Sequence, residues 1–127
     1  MKTTTQSEYG KLKSVYLKKP QQAFVDDQQI SSQWKDLNFL SKPDLTKAEE
    51  EYALFEKLLT QHEAKTLYLP QDSSVTMDSI YCRDAAIATD FGMIICNMGK
   101  PARKNEPAAE RKAFENNQIK ILGAITS

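Results

Sequence analysis

Hydrophobic positions change period several times along this chain, and each change marks an element. Val15, Tyr16 and Leu17 are consecutive strand formers stopped by Lys18, Lys19 and Pro20, so residues 13–17 read as a first strand. Between residues 21 and 43 no period survives: Phe24, Val25, Ile30, Trp34, Leu37, Phe39 and Leu40 are scattered among Gln, Asp and Ser. That suits a loop with short helical turns. Its apolar residues are too many for a linker, so the loop is expected to lie across something. A helical stripe follows, with Ala48, Tyr52, Phe55 and Leu59 on one face and Leu54 and Leu58 alongside. Thr46 with Glu49 three residues later predicts a capping box, and Asp44 adds negative charge near the positive end of the dipole. The stripe fades at His62, and residues 66–69 form a second strand closed by Pro70.

Beyond a polar turn over residues 71–77, residues 79–89 read as a strand carrying Ile80, Tyr81, Ala85, Ala86 and Ile87. Asp90, Phe91 and Gly92 form a turn, and residues 93–98 return as the second arm of a hairpin. A basic loop over residues 99–105 leads to Glu106 and Pro107, which open a second helix, with Pro at a position where its missing N–H costs least. Ala109, Ala113 and Phe114 mark its inner face, Asn116 and Asn117 end it, and residues 119–122 form a last strand. The order is strand, helix, strand, hairpin, helix, strand. This is an α/β pattern with no close internal sequence repeat.

Composition narrows the function. Length allows one domain: 127 residues, 40% of them hydrophobic, can fill a modest core. Seventeen Lys and Arg balance seventeen Asp and Glu, which argues against a nucleic-acid-binding module. No apolar run is long enough for a membrane span, and the first residues, Met1 to Gln6, lead into no signal core. A cytoplasmic location is therefore expected.

Two cysteines and one histidine are few for metal or nucleophilic chemistry. Cys82, Cys96 and His62 do not make up a structural zinc set, and both cysteines read as small buried hydrophobes in strand-like sequence. A disulfide between them is the less favoured alternative in a chain without a signal peptide. His62 reads as a surface residue at a helix end.

Two polar clusters remain. In Asp78-Ser79-Ile80-Tyr81-Cys82-Arg83-Asp84, three charges sit in or beside an apolar strand, where they must be paired or bound to something. They form either a surface ion pair or a strand end that offers a carboxylate to a cation, for which a guanidinium is the best geometric match. Lys100, Arg103 and Lys104 precede the second helix and are either a solvated basic loop or a cradle for an anion.

Together, Asp78-Ser79-Ile80-Tyr81-Cys82-Arg83-Asp84-Ala85-Ala86, the strand pair to Met98-Gly99, and Pro101-Ala102-Arg103-Lys104-Asn105-Glu106 resemble the guanidino-group-modifying enzymes. These include dimethylarginine dimethylaminohydrolases, arginine deiminases and amidinotransferases. Element order and the Asp84-to-Arg103 spacing most resemble the first branch. Arg83, where that branch usually has Glu, looks more like the amidinotransferases and deiminases. The resemblance spans most of the chain and is specific from residue 77 to residue 106.

It implies a five-bladed α/β propeller (the pentein fold) of which residues 1–127 supply about two β-β-α-β modules, as the N-terminal portion of a single domain. It implies substrate-binding roles for Asp84 (guanidinium), Asp78 (a second acid lining the pocket), Arg103 (substrate carboxylate) and the adjoining Arg83. A Cys nucleophile and a His acid–base would lie beyond Ser127, so this chain alone is expected to be inactive. The reading includes an arginine-like substrate, no cofactor, no metal, and self-association through unpaired strands and apolar faces. The rival from another class is an autonomous α/β binding or interaction domain whose charged strand is a surface ion pair.

Overall fold

The apolar runs pair into two small sheets in the computed structural model, which describes residue 7 and residues 9–127. The leader reading, on residues 1–6, falls outside the described residues. Strand β1 (Ser14–Leu17) lies parallel to β2 (Lys65–Tyr68), in register from Ser14 opposite Lys65 to Leu17 opposite Tyr68. Parallel neighbours need a long crossover, supplied here by α1 (Pro20–Ala23), α2 (Asp27–Gln33) and α3 (Leu45–Gln61). Strands β3 (Ala86–Thr89) and β4 (Gly92–Ile95) form the antiparallel hairpin, and α4 (Glu106–Asn116) leads to β5 (Ile121–Ala124), parallel to β4. The second half is thus a complete β-β-α-β unit, with sheet order β3-β4-β5, and the first half is a β-α-β unit.

Two apolar clusters hold these units. Leu69, Met93, Ile95, Ala113, Phe114 and Ile119 form one, with Tyr16 packed edge-on to Phe114 at 5.1 Å between ring centres. Ala23, Phe24, Ile30, Leu37 and Met77 form the other. The irregular stretch after β1 does lie across something: it covers the chain segment that begins at Met77.

Several expectations need correction. The cap of α3 is Asp44, whose carboxylate accepts from the Lys47 amide at 2.9 Å; Thr46 already sits inside the first turn. A carboxylate caps as well as a hydroxyl, so the earlier acceptor starts the helix first. The apolar stripe of α3 is only half covered: among its residues none is buried, and Leu54 and Leu58 are 66% and 57% exposed. Residues 79–85 are not strand. They form two 3-10 turns, Met77–Ile80 and Cys82–Ala85, and pairing starts only at Ala86. Thr76 caps the first turn at the Asp78 amide, an example of a short polar side chain diverting backbone from a ladder. The return arm stops at Ile95, and Cys82 and Cys96 are free, half-buried and outside every strand.

Gly92 begins β4 at φ +136°, and a Cβ there would meet the Lys120 carbonyl oxygen of the adjoining chain at 2.8 Å. Gly92→Ala should therefore cost about 1–3 kcal/mol, because backbone strain and a backbone clash act together. Urea unfolding checks this; a cost under about 0.5 kcal/mol would mean that β5 shifts freely.

Candidate functional site

Tandem 3-10 turns leave side chains without a pleat to alternate them, so each charge takes its own direction. Asp78 turns inward. Its carboxylate is 6% exposed and meets Lys100 Nζ at 2.5 Å, and the same ammonium donates to the Leu37 carbonyl at 3.3 Å. One lysine thus ties the 3-10 segment, the basic loop and the end of the crossover stretch together. Asp84 turns the other way and stays 44% exposed, with Oδ2 accepting from Arg103 Nη1 at 2.8 Å. Arg83 points to solvent, with Nε 4.0 Å from Asp84.

Arg103 is the hub. Its side chain is 11% exposed and grips Glu106 through Nε and Nη2 at 2.8 and 2.7 Å, while Nη2 also donates to the Tyr81 carbonyl at 3.0 Å. With the Asp84 bond, four of the five N–H donors of a guanidinium are engaged. The Glu106 hydrogen bonds, with lesser help from Asp84, hold its pKa above even the ordinary arginine value. Sequence left open whether Lys100, Arg103 and Lys104 cradle an anion or form a solvated loop. Two of these cations instead point inward to carboxylates of the same chain.

An open groove of about 1060 Å³ runs between the two units. Tyr16, Leu67, Ala86, Met93 and Phe114 give it an apolar floor, and Arg83, Asp84, Cys82 and Glu110 give it polar points. Of the four residues singled out from sequence, Asp84 and Arg83 border this groove; Asp78 and Arg103 stand behind it in ion pairs. Cys82 is buried enough, and near enough to Glu110, that its thiol is pushed up to about 11, so it is neutral near pH 7. Exposed His62 caps the C-terminal end of α3, as expected. Among the described residues no group of His, Cys, Asp and Glu is placed to hold a metal ion, and no helix is long and apolar enough to cross a membrane.

Sequence reasoning missed a buried polar cluster beside the groove. Lys18 (3% exposed), Glu106 (2%), Glu110 (6%) and Ser79 (4%) line a small cavity of about 20 Å³, room for one water. The signal was available: Glu106, Glu110, Ala113 and Phe114 recur at helical spacing, so two carboxylates share the inward face of α4. Burial, and then the charge of Glu106, push the Glu110 carboxyl up to about 8, against a smaller pull from Lys18 and Arg103.

The fold is similar to that of a solved protein, the crystal structure of a dimethylarginine dimethylaminohydrolase adduct with 4-chloro-2-hydroxymethylpyridine. The TM-score is 0.66 at 22% identity, over 91% of this chain and 41% of that one. This chain therefore spans well under half the length of that protein. No family model matches the chain, and no curated protein does. At this identity the likeness establishes a shared mixed α/β fold.

Two measurements probe the cluster. Lys100→Met strands a buried carboxylate and should cost roughly 1–3 kcal/mol, the half-exposed lysine trimming the upper end. Adding Asp78→Asn to Lys100→Met should recover part of that loss, and equal urea midpoints for the single and double variants would contradict the pairing. For Glu110, the unfolded carboxyl titrates near its ordinary 4.5 and the folded one near 8. Between those values the folded state keeps a proton that the unfolded state has released, so stability falls as pH rises. Glu110→Gln should flatten that slope and stabilise the protein by roughly 2–4 kcal/mol at pH 8, read from melts between pH 4 and 9.

Proposed function

We propose that this chain is the N-terminal portion of a Cys-dependent enzyme that acts on the guanidino group of arginine or a methylated arginine. The observation that carries the reading is Asp84: a carboxylate braced by Arg103, half-exposed at the border of a groove, in a fold shared with a dimethylarginine dimethylaminohydrolase. A planar cation with paired N–H groups matches such an acceptor. Asp84 would hold the guanidinium in its charged, electrophilic form, and Arg103, with one N–H unspent, would meet the substrate carboxylate. Asp78 and Arg83 complete the proposed binding set, Asp78 by seating the 3-10 segment under Lys100. Hydrolysis to citrulline and an amine is the favoured outcome, with amidino transfer or deimination as variants of the same chemistry. The nucleophilic Cys and the acid–base His belong to further modules of a five-bladed propeller, and the 127 residues alone are inactive, cytoplasmic and prone to self-associate.

One observation favours the rival, a non-catalytic α/β binding or interaction domain. Arg103 already answers two carboxylates of its own chain, as a structural ion pair would.

Asp84→Asn separates the readings, because the amide oxygen still accepts from Arg103 while the charge is gone. Calorimetric titration with L-arginine and dimethylarginine should show at least tenfold weaker binding for the variant, with an unchanged melt. Equal binding by the variant and the unaltered chain sinks the assignment of Asp84. Reading the gene past codon 127 should reveal a Cys near the end of the frame with a His upstream, and downstream sequence with neither overturns the enzyme reading.

A further inference from the structure

Glu110 is a buried carboxyl with little to compensate its charge. It is 6% exposed, yet it makes no hydrogen bond and no ion pair within 4 Å among the described residues. A carboxyl taken out of water without a partner is costly, so native structures rarely keep one unless it has a proton or a ligand to hold. Its position is also unusual. Glu110 borders both the small cavity and the large groove, whereas Lys18 borders the cavity alone. Lys18 therefore meets Glu110 across the cavity and not in the groove.

The surrounding charges do not cancel. The groups that act on Glu110 are Glu106 on its own helix, Lys18 after β1, Arg103 of the basic loop, and Asp84 and the Cys82 thiol of the 3-10 segment. Asp72 adds a further negative charge beside Lys18. Arg103 is committed to Glu106 and Asp84. Four carboxylates thus face two cations, and of the two that line the groove, Asp84 has Arg103 as its partner while Glu110 has no ion pair among the described residues. Near it the Ser79 hydroxyl, 4% exposed, has no hydrogen-bond partner and lines the same small cavity.

We infer that Glu110 is a second cation-accepting carboxylate of the groove, taking the guanidinium or amidinium end of a ligand from the groove, which Lys18 does not line. This rests on the proposed guanidino-group reading and deepens it, by placing the cation deeper in the groove than Asp84. Binding exchanges a proton for the ligand's charge: the Glu110 O–H bond breaks, the proton passes to solvent, and the carboxylate accepts N–H bonds from the incoming cation. Below the pH where Glu110 ionises, each ligand bound should therefore release close to one proton.

The test is calorimetric titration of the whole chain at pH 7 with methylguanidinium and with L-arginine, in two buffers of different ionisation enthalpy. Expected is release of close to one proton per ligand, and at least tenfold weaker binding with no release for Glu110→Gln. That variant keeps size and shape, and a melt at least as high as the parent's confirms that it is folded. Unchanged affinity in Glu110→Gln, or binding without proton release by the unaltered chain, overturns the inference. Loss of binding in Asp84→Asn alongside that result leaves the guanidino reading standing. No binding of either probe by the unaltered chain overturns both.

Discussion

The guanidinium of Arg103 is the interaction on which the functional half of this structure depends. The segment it holds, residues 77–85, belongs to no sheet, and it meets the hairpin ladder at its last residue, where the Cys96 amide donates to the Ala85 carbonyl at 2.9 Å. Arg103 adds a constraint from outside. One fork clasps Glu106 at the start of α4, the other reaches Asp84, and a shared donor takes the Tyr81 carbonyl. Charge-assisted bonds in this geometry are among the stronger polar contacts a protein makes, and four from one side chain set both position and angle. Lys100 repeats the device one turn earlier, at Asp78.

These two rivets also explain where the apolar cores end. The cluster around Phe114 and Met93 packs the β-β-α-β unit, and the cluster around Ile30 and Met77 packs the crossover stretch onto the 3-10 segment. Between them the chain is polar, and the groove opens. A site built this way has a firm back wall and an open front. Asp84 and Glu110 stand at that front for opposite reasons. Asp84 has its partner and can share it; Glu110 lacks one among the described residues, and burial pushes its carboxyl up to about 8. Two carboxyls in one groove with such different surroundings are suited to different tasks: one is already held by a guanidinium of its own chain, and the other is open to a cation from outside.

Element type was legible along much of the sequence, because period and end signals are local properties. The strand at Val15–Leu17, the stripe from Ala48 to Leu59 and the Pro107 helix start each need only their neighbours to be read. Of the 79–89 stretch, residues 86–89 are strand as their pattern indicates, but residues 79–85 are not, because their apolar side chains resemble a strand and nothing nearby says that the backbone will wind into 3-10 turns. The cap of α3 was misplaced by two residues because Asp44 and Thr46 both offer good acceptors, and only the backbone conformation of Asp44 chooses between them.

For the site, residue types were informative and partners were not. Sequence alone determined that Asp78, Asp84, Arg83 and Arg103 are charges needing an explanation. The tertiary structure decided the rest. It sent Asp78 inward to Lys100, left Asp84 at the groove, spent Arg103 on two carboxylates, and buried Glu110 without a partner. The reason is range. Helical and strand periods arise within a few residues, whereas the cost of a buried charge depends on what the whole fold brings within a few ångströms of it.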